Sequence, residues 1–182
     1  MKKNLEKNTK TSLIVNIYAG PGAGKSTTAA WLFSRLKQHG VNAELVTEYA
    51  KDKVWEESHK ILHNQIYVFA KQHHRLKRLL GKVDVVITDS PIMMGIVYDI
   101  EKNEHLKSLA YFEYSKMNNL NVFLKRSKAF NQAGRHQNEE EAIKMDTIIK
   151  NHINSFGIEY KELETNKESN KILLNSVLEK LS

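Results

Sequence analysis

The sequence predicts an α/β fold, a five-stranded parallel sheet with helices on both faces. Five short apolar runs alternate with segments of helical spacing along the 182 residues. Such alternation implies parallel strands joined by helical crossovers. The first run, Leu13 to Tyr18, ends in Ala19-Gly20-Pro21-Gly22-Ala23-Gly24-Lys25-Ser26, and a helical pattern starts at once. In sheets of this kind ligands bind at the C-terminal edges of strands, near a switch in strand order. Residues 19–26, Glu48 and Asp89, which follow the first three runs, are therefore the candidate site positions.

Taken in order, residues 25–39 carry Ala29, Leu32, Phe33 and Leu36 at helical spacing and stop at Gly40. Residues 41–47 read as the second strand, which delivers Glu48-Tyr49-Ala50 to its end, and a short helix is expected over 53–57. One long helix is expected over 59–80, with Leu62, Ile66, Phe69, His73, Leu76 and Leu80 spaced by fours and threes and Gly81 as its stop. Residues 83–88 form the third strand, broken by Asp89-Ser90-Pro91. A helix over 104–117 and a fourth strand over 120–124 follow. The polar stretch 125–137, with Gly134 inside it, reads as a loop or cover. A helix over 138–156 opens with acidic residues, which suit the positive end of a helix; the fifth strand spans 158–163 and a closing helix 170–181.

Length and composition narrow the function classes. A chain of this size suits one domain with a sizeable core, expected over 12–182 after a mobile basic tail of residues 1–11. No apolar run approaches the roughly 20 residues of a membrane span. The polar N-terminus leads straight into the first strand and has no apolar core of a signal peptide. The chain has no cysteine, which excludes disulfides and thiolate chemistry and fits a reducing, cytoplasmic location. The net charge of +7 suits an anionic partner.

The glycine-rich turn carries the chemistry. Strand, glycine-rich turn, Gly-Lys-Ser and helix together form a phosphate-binding loop in its required context. Glycines let successive backbone N–H groups converge on one concavity, where they and the helix N-terminus bind an anion. Gly20, Pro21, Gly22, Ala23, Gly24, Lys25, Ser26 and Thr27 are thus the candidate nucleotide-binding residues, with Lys25 reaching the β- and γ-phosphates and Ser26 placed for Mg²⁺. Ala19 stands where the strict pattern has glycine. The plain alternative is a glycine-rich strand–helix turn followed by a chance Lys-Ser. No Asn-Lys-x-Asp guanine reader is present, since Asn166-Lys167-Glu168-Ser169 lacks the aspartate. Asp89 is followed by Ser90-Pro91-Ile92 and not by the Asp-x-x-Gly of a GTPase switch. An ABC-type signature is missing, and a full AAA+ ATPase needs a longer chain. A small kinase remains.

The order of phosphate loop, Glu48-Tyr49-Ala50, a helix with Gln65 and Gln72, Val-Ile-Thr-Asp-Ser-Pro at 86–91 and a basic loop resembles the ribosylnicotinamide kinase domain over about residues 12–163. More broadly it is similar to thymidylate and deoxynucleoside kinases and to small phage-encoded P-loop ATPases and kinases. The resemblance implies a P-loop NTPase fold of the nucleoside/nucleotide-kinase type and an enzyme that uses ATP and Mg²⁺. It implies that Glu48 accepts or orients the proton of the attacking hydroxyl, a role worth roughly 10²–10⁴-fold. It further implies that Gln72, with Gln65 seven residues earlier, reads an acceptor base, and that Arg126 and Arg135 close a lid at about 125–137 over the phosphates.

Each residue also has a plainer reading. Asp89 holds Mg²⁺ or caps a helix; Glu48 is catalytic or a solvated loop carboxylate. Tyr49 stacks on an acceptor or is partial core, and Gln65 and Gln72 read an acceptor or are solvated. The basic run Lys71, Arg75, Lys77, Arg78 and Lys82 is a solvated helix face or a nucleic-acid surface. The expected partner is a nucleoside triphosphate with a nucleoside- or nucleotide-like acceptor. DNA bearing 5-hydroxymethyluracil is the alternative acceptor, and an ATPase switch acting on a protein is the alternative class.

Overall fold

The computed structural model describes residues 11–126 and 139–182. The expected mobile tail and most of the expected lid, with Arg135, lie outside the described residues. Five strands form one sheet: β1 (Leu13–Tyr18), β2 (Ala43–Val46), β3 (Val85–Thr88), β4 (Asn118–Lys125) and β5 (Lys161–Glu164). Every pairing is parallel and the order is β2-β3-β1-β4-β5. β1 is buried along its whole length, as a central strand covered on both faces must be. On one face Leu13, Val15 and Ile17 pack against Leu32 and Leu36 of α1 (Lys25–Gln38) and Leu173 and Val177 of α7 (Lys167–Leu181). On the other, Ile14, Tyr18 and Phe123 meet Phe69, Met93, Leu106, Ile149 and Ile153. These come from α3 (Gln65–Lys77), α4 (Ile92–Gly95), α5 (Glu104–Ser115) and α6 (Glu139–Ser155).

Three strands start later than the apolar pattern predicts, at Ala43, Val85 and Lys161, and the first and last do so for one shared reason. Gly40 and Gly157 both end helices in the left-handed conformation, with φ of 75° and 63°. The following residue closes the helix: Val41 N–H donates to Leu36 O at 3.0 Å, and Ile158 N–H donates to Ile153 O at 3.1 Å. Val41 and Ile158 are apolar because they pack behind a helix end. They are not the first residues of strands, which begin at Ala43 and Lys161.

The expected long helix over 59–80 is broken. Residues His59–His63 form a 3-10 segment, and Asn64 then caps α3 by accepting from Tyr67 N–H at 3.1 Å. The break rotates the buried face of α3 to Val68, Phe69, Gln72 and Leu76, while Ile66 is 56% exposed. The short second helix also moves: α2 is Tyr49–Trp55 and starts directly after Glu48. An unexpected turn of helix, α4, follows Pro91 and continues as 3-10 structure over Ile96–Tyr98.

Leu32 is fully buried between the sheet and α7. Leu32→Ala should cost about 2–5 kcal/mol of stability, measurable by urea unfolding. A loss below 1 kcal/mol would show that this layer repacks freely.

Candidate functional site

The strand order brings the candidate residues to one edge. β1 lies between β3 and β4, so the loop after β1 is flanked by Asp89 after β3 and Arg126 after β4. Glu48 follows β2, one strand further out.

The loop itself depends on two glycines with positive φ, Gly22 at 79° and Gly24 at 93°, a region other residues enter at a cost of about 1–2 kcal/mol. Gly24 also faces Thr165, whose methyl would sit 2.6 Å from an added Cβ. Thr165, just after β5, places its hydroxyl 2.8 Å from Ala23 O and 3.0 Å from Lys125 O, buttressing the loop from behind. Gly20 is required for a different reason: a Cβ there would lie 2.7 Å from Ala142 O and 2.8 Å from Asp146 Oδ1. Its N–H donates to the Asp146 carboxylate. Gly24 begins α1 with no side-chain cap, and the first turn of α1 holds no acidic residue. The first N–H groups of that 14-residue helix thus keep their capacity for an anion.

Lys25 Nζ donates to Gly20 O at 3.0 Å, folding back over the loop. Burial lowers its pKa, against the pull of Glu48, Asp89 and Asp146. Ser26 and Thr27 are exposed at the start of α1.

Asp89 is 4% exposed and its Oδ1 has no hydrogen-bond partner among the described residues. The helix that follows is capped at Pro91, with no side-chain cap bond, so the helix-cap reading of Asp89 is not realised. An orphaned buried carboxylate oxygen at this strand edge fits a hard cation that takes oxygen ligands. No group of three or more His, Cys, Asp or Glu that would hold a metal exists among the described residues. Phosphate oxygens and water would have to complete the coordination, as Mg²⁺ commonly accepts.

Glu48 is half-buried and its carboxylate does not cap α2. Burial raises its pKa above the ordinary 4.5; Lys25 draws it down and Asp89 pushes it up again. Tyr98, unmarked by any motif, also faces this cleft: burial and the carboxylates of Glu48 and Asp146 push its pKa up to about 12.

The remaining candidates fall elsewhere. Tyr49 is buried, with its ring edge-on to Tyr67 at 5.9 Å, so it is core and not a free stacking platform. Gln72 is also buried, and its amide is used by backbone: Oε1 accepts from Tyr49 N–H at 2.9 Å and Nε2 donates to Thr47 O at 3.4 Å. The solvated reading of Gln72 is therefore wrong. Gln65 donates to Leu62 O at 2.6 Å and borders a cavity of about 400 Å³ that Asp99 and Asn103 also line. Arg126 is held by α6, with Nε 2.6 Å from Asp146 Oδ2 and Nη2 3.1 Å from Ala142 O. Asp146 thus joins Arg126 to the first turn of the loop. Nothing in the sequence near residue 146 marks it.

The parallel sheet, its helices and the glycine-rich turn define a P-loop NTPase-like α/β fold. Residues 14–170 match the AAA domain family, and the chain belongs to it. Among solved structures, the NadR protein in complex with NR is 18% identical, with a TM-score of 0.72 over 94% of this chain and 52% of that one. This chain therefore spans about half the length of NadR. A deoxyadenosine kinase from M. mycoides, solved with dCMP and dCDP bound, is 16% identical with a TM-score of 0.52. The match covers 91% of this chain and 99% of that one. No curated protein matches in sequence. No helix of the described residues is long and apolar enough to cross a membrane.

The Glu48 carboxylate gives a signed prediction. A carboxyl whose folded pKa is raised contributes its full stability below 4.5 and loses it as pH rises through the folded value. Glu48→Gln cannot ionise. It should melt higher than wild type at about pH 8, with the difference vanishing near about pH 4. A lower melting temperature at the higher pH would show that the ionised carboxylate is held by stabilising partners.

Proposed function

We propose that the chain is an ATP- and Mg²⁺-dependent kinase that transfers the γ-phosphoryl group to a hydroxyl or phosphate of a nucleoside- or nucleotide-like acceptor. One observation carries the reading. The order β2-β3-β1 lines up a carboxylate after β2, a buried carboxylate after β3 with one oxygen unpartnered among the described residues, and a lysine-bearing anion loop after β1. The uncapped start of α1 and residues 20–27 bind the triphosphate, and Lys25 swings from Gly20 O to the β- and γ-phosphates. Ser26 and Asp89 would hold Mg²⁺, which would supply positive charge against the phosphate oxygens. Glu48 takes the proton as the acceptor oxygen bonds to the γ-phosphorus and the bond to the β-phosphate oxygen breaks, releasing ADP. Arg126 leaves Asp146 to meet the phosphates, and Arg135 joins it from the lid. Positioning and charge neutralisation do nearly all the work in such chemistry. The likeness to NadR and to the deoxyadenosine kinase supports an acceptor of nucleoside type.

A DNA acceptor is the second reading, and two ion pairs within the basic run weaken its support. Two members of the basic run are engaged within the fold: Arg75 pairs with Asp52, and Lys77 lies 3.3 Å from Glu113.

The test is ADP release with Mg²⁺-ATP alone and with a nucleoside and nucleotide panel. Slow turnover alone and a rise of at least about tenfold with one acceptor are expected, because a bound acceptor replaces water in the reaction. Lys25→Ala should abolish both with an unchanged melt in the absence of nucleotide. Turnover that no acceptor raises would favour the ATPase switch. Asp89→Asn should lower the rate by about 10²-fold or more, since it removes charge stabilisation of the order seen for single electrostatic groups. It should also raise the Mg²⁺ requirement. An unaltered Mg²⁺ dependence would remove Asp89 from the metal site.

A further inference from the structure

We propose that Gln72 and Arg75 of α3 are positioning residues that hold Glu48 for proton transfer by capping α2 from outside. The inference rests on the reading of Glu48 as the proton acceptor.

Glu48 is the N-cap residue of α2, with φ −62° and ψ 121°, and its side chain makes no cap hydrogen bond. A residue at this position commonly spends its side chain on the exposed N–H groups of the first turn. α2 has seven residues, too few to be stable alone, so its first turn needs another source of support. Gln72 supplies it. The Gln72 amide accepts from Tyr49 N–H at 2.9 Å and reaches Thr47 O at 3.4 Å. Those two groups belong to the peptide units on either side of Glu48. One side chain therefore pins both peptide planes that orient the Glu48 Cα–Cβ bond. Because the capping is done from α3, the carboxylate is free to face the phosphate loop.

Arg75, one turn further along α3, completes the hold. Its Nη1 donates to Thr47 O at 3.2 Å, its Nη2 pairs with Asp52, and its guanidinium lies 5.1 Å from the centre of the Tyr49 ring. Thr47, Tyr49 and Asp52 are thus tied to α3 around a residue whose own side chain is left unused.

The residue types follow from this geometry. An amide offers one donor and one acceptor, which matches a carbonyl and an N–H flanking a single residue. A carboxylate at 72 would place an acceptor against Thr47 O. An aliphatic side chain would leave the Tyr49 N–H without its partner. Reading an acceptor base would take the same two amide groups away from the backbone.

The test uses the full chain carrying Gln72→Met or, as a milder second variant at a partly exposed side chain, Arg75→Met. Amide exchange at Tyr49 should speed up by about tenfold or more in Gln72→Met, as expected when a protecting bond is lost. The Glu48 carboxyl, followed by NMR, should titrate closer to 4.5 than in wild type because it becomes better solvated. Lys25, Asp89, Lys51, Asp52 and Tyr98 are the charged and titratable groups that face it, and Gln72→Met alters none of them; Arg75→Met removes the partner of Asp52, so the titration is read in Gln72→Met. With deoxyadenosine as the acceptor probe, kcat should fall by about 10–100-fold with KM for the nucleoside within about twofold. Placed on Glu48→Gln, Gln72→Met should add almost nothing, since both act on one step.

Unchanged Tyr49 exchange in both variants, with unchanged Glu48 titration in Gln72→Met, would overturn the proposal. So would a rise in KM that multiplies with Glu48→Gln, which would make Gln72 an acceptor reader. A normal rate in Glu48→Gln would instead overturn the role of Glu48, whatever the Gln72 variants show.

Discussion

The turn between β1 and α1 can close only as a glycine turn. Positive φ at 22 and 24 and the approach of Ala142 and Asp146 to 20 leave no room for a Cβ at two of these positions and strain it at the third. The rest of the edge is arranged around that turn. Thr165 supports it from the end of β5, Asp146 receives its first N–H from α6, and Lys25 lies back across it. The helix that leaves it begins without a cap. A turn built this way exposes donors that the fold itself does not use, and an anion is what such donors bind.

Charge at the edge is costly and left incomplete. Lys25 and Glu48 both have pKa values moved by burial toward the neutral form, and Asp89 keeps a buried oxygen without a partner among the described residues. A fold selected for stability alone would pair these groups fully. Sites that bind and transform charged ligands carry this kind of strain. Here the carboxylates lie toward β2 and β3 and the loop lies on β1, so a phosphoryl group held by the loop faces acid groups on one side. On the other side stands Arg126, already oriented by Asp146.

The sheet, its parallel sense and the three strand-end positions were legible in the sequence because each rests on local pattern. Apolar runs, a glycine-rich turn and a strand-breaking Asp-Ser-Pro are all written in consecutive residues. The strand starts were less legible, since Val41 and Ile158 are apolar for helix closure and not for pairing. The α3 break at Asn64 was hidden by a regular apolar series on both sides of it. Gln72 shows the limit most clearly. Its residue type marked it for a polar role, but the partner groups lie more than twenty residues earlier, on backbone that carries no side-chain signal. Asp146, Thr165 and Tyr98 reach the edge only through the order of strands and the packing of α4 and α6, which no single segment reveals. Arg135 lies outside the described residues, and its role stays with the proposed lid.

The proposed kinase needs a triphosphate site and a nucleoside-like acceptor site that adjoin at this edge. A bisubstrate analogue, adenosine and deoxyadenosine joined 5′ to 5′ through five phosphates, tests this in one calorimetric titration. Linking two adjoining ligands raises affinity without new contacts. The analogue should bind at least about tenfold more tightly than ATP, and that gain should disappear when free nucleoside occupies the acceptor site. Affinity no greater than that of ATP, unaffected by nucleosides, would contradict the claim and leave a nucleotide switch in its place.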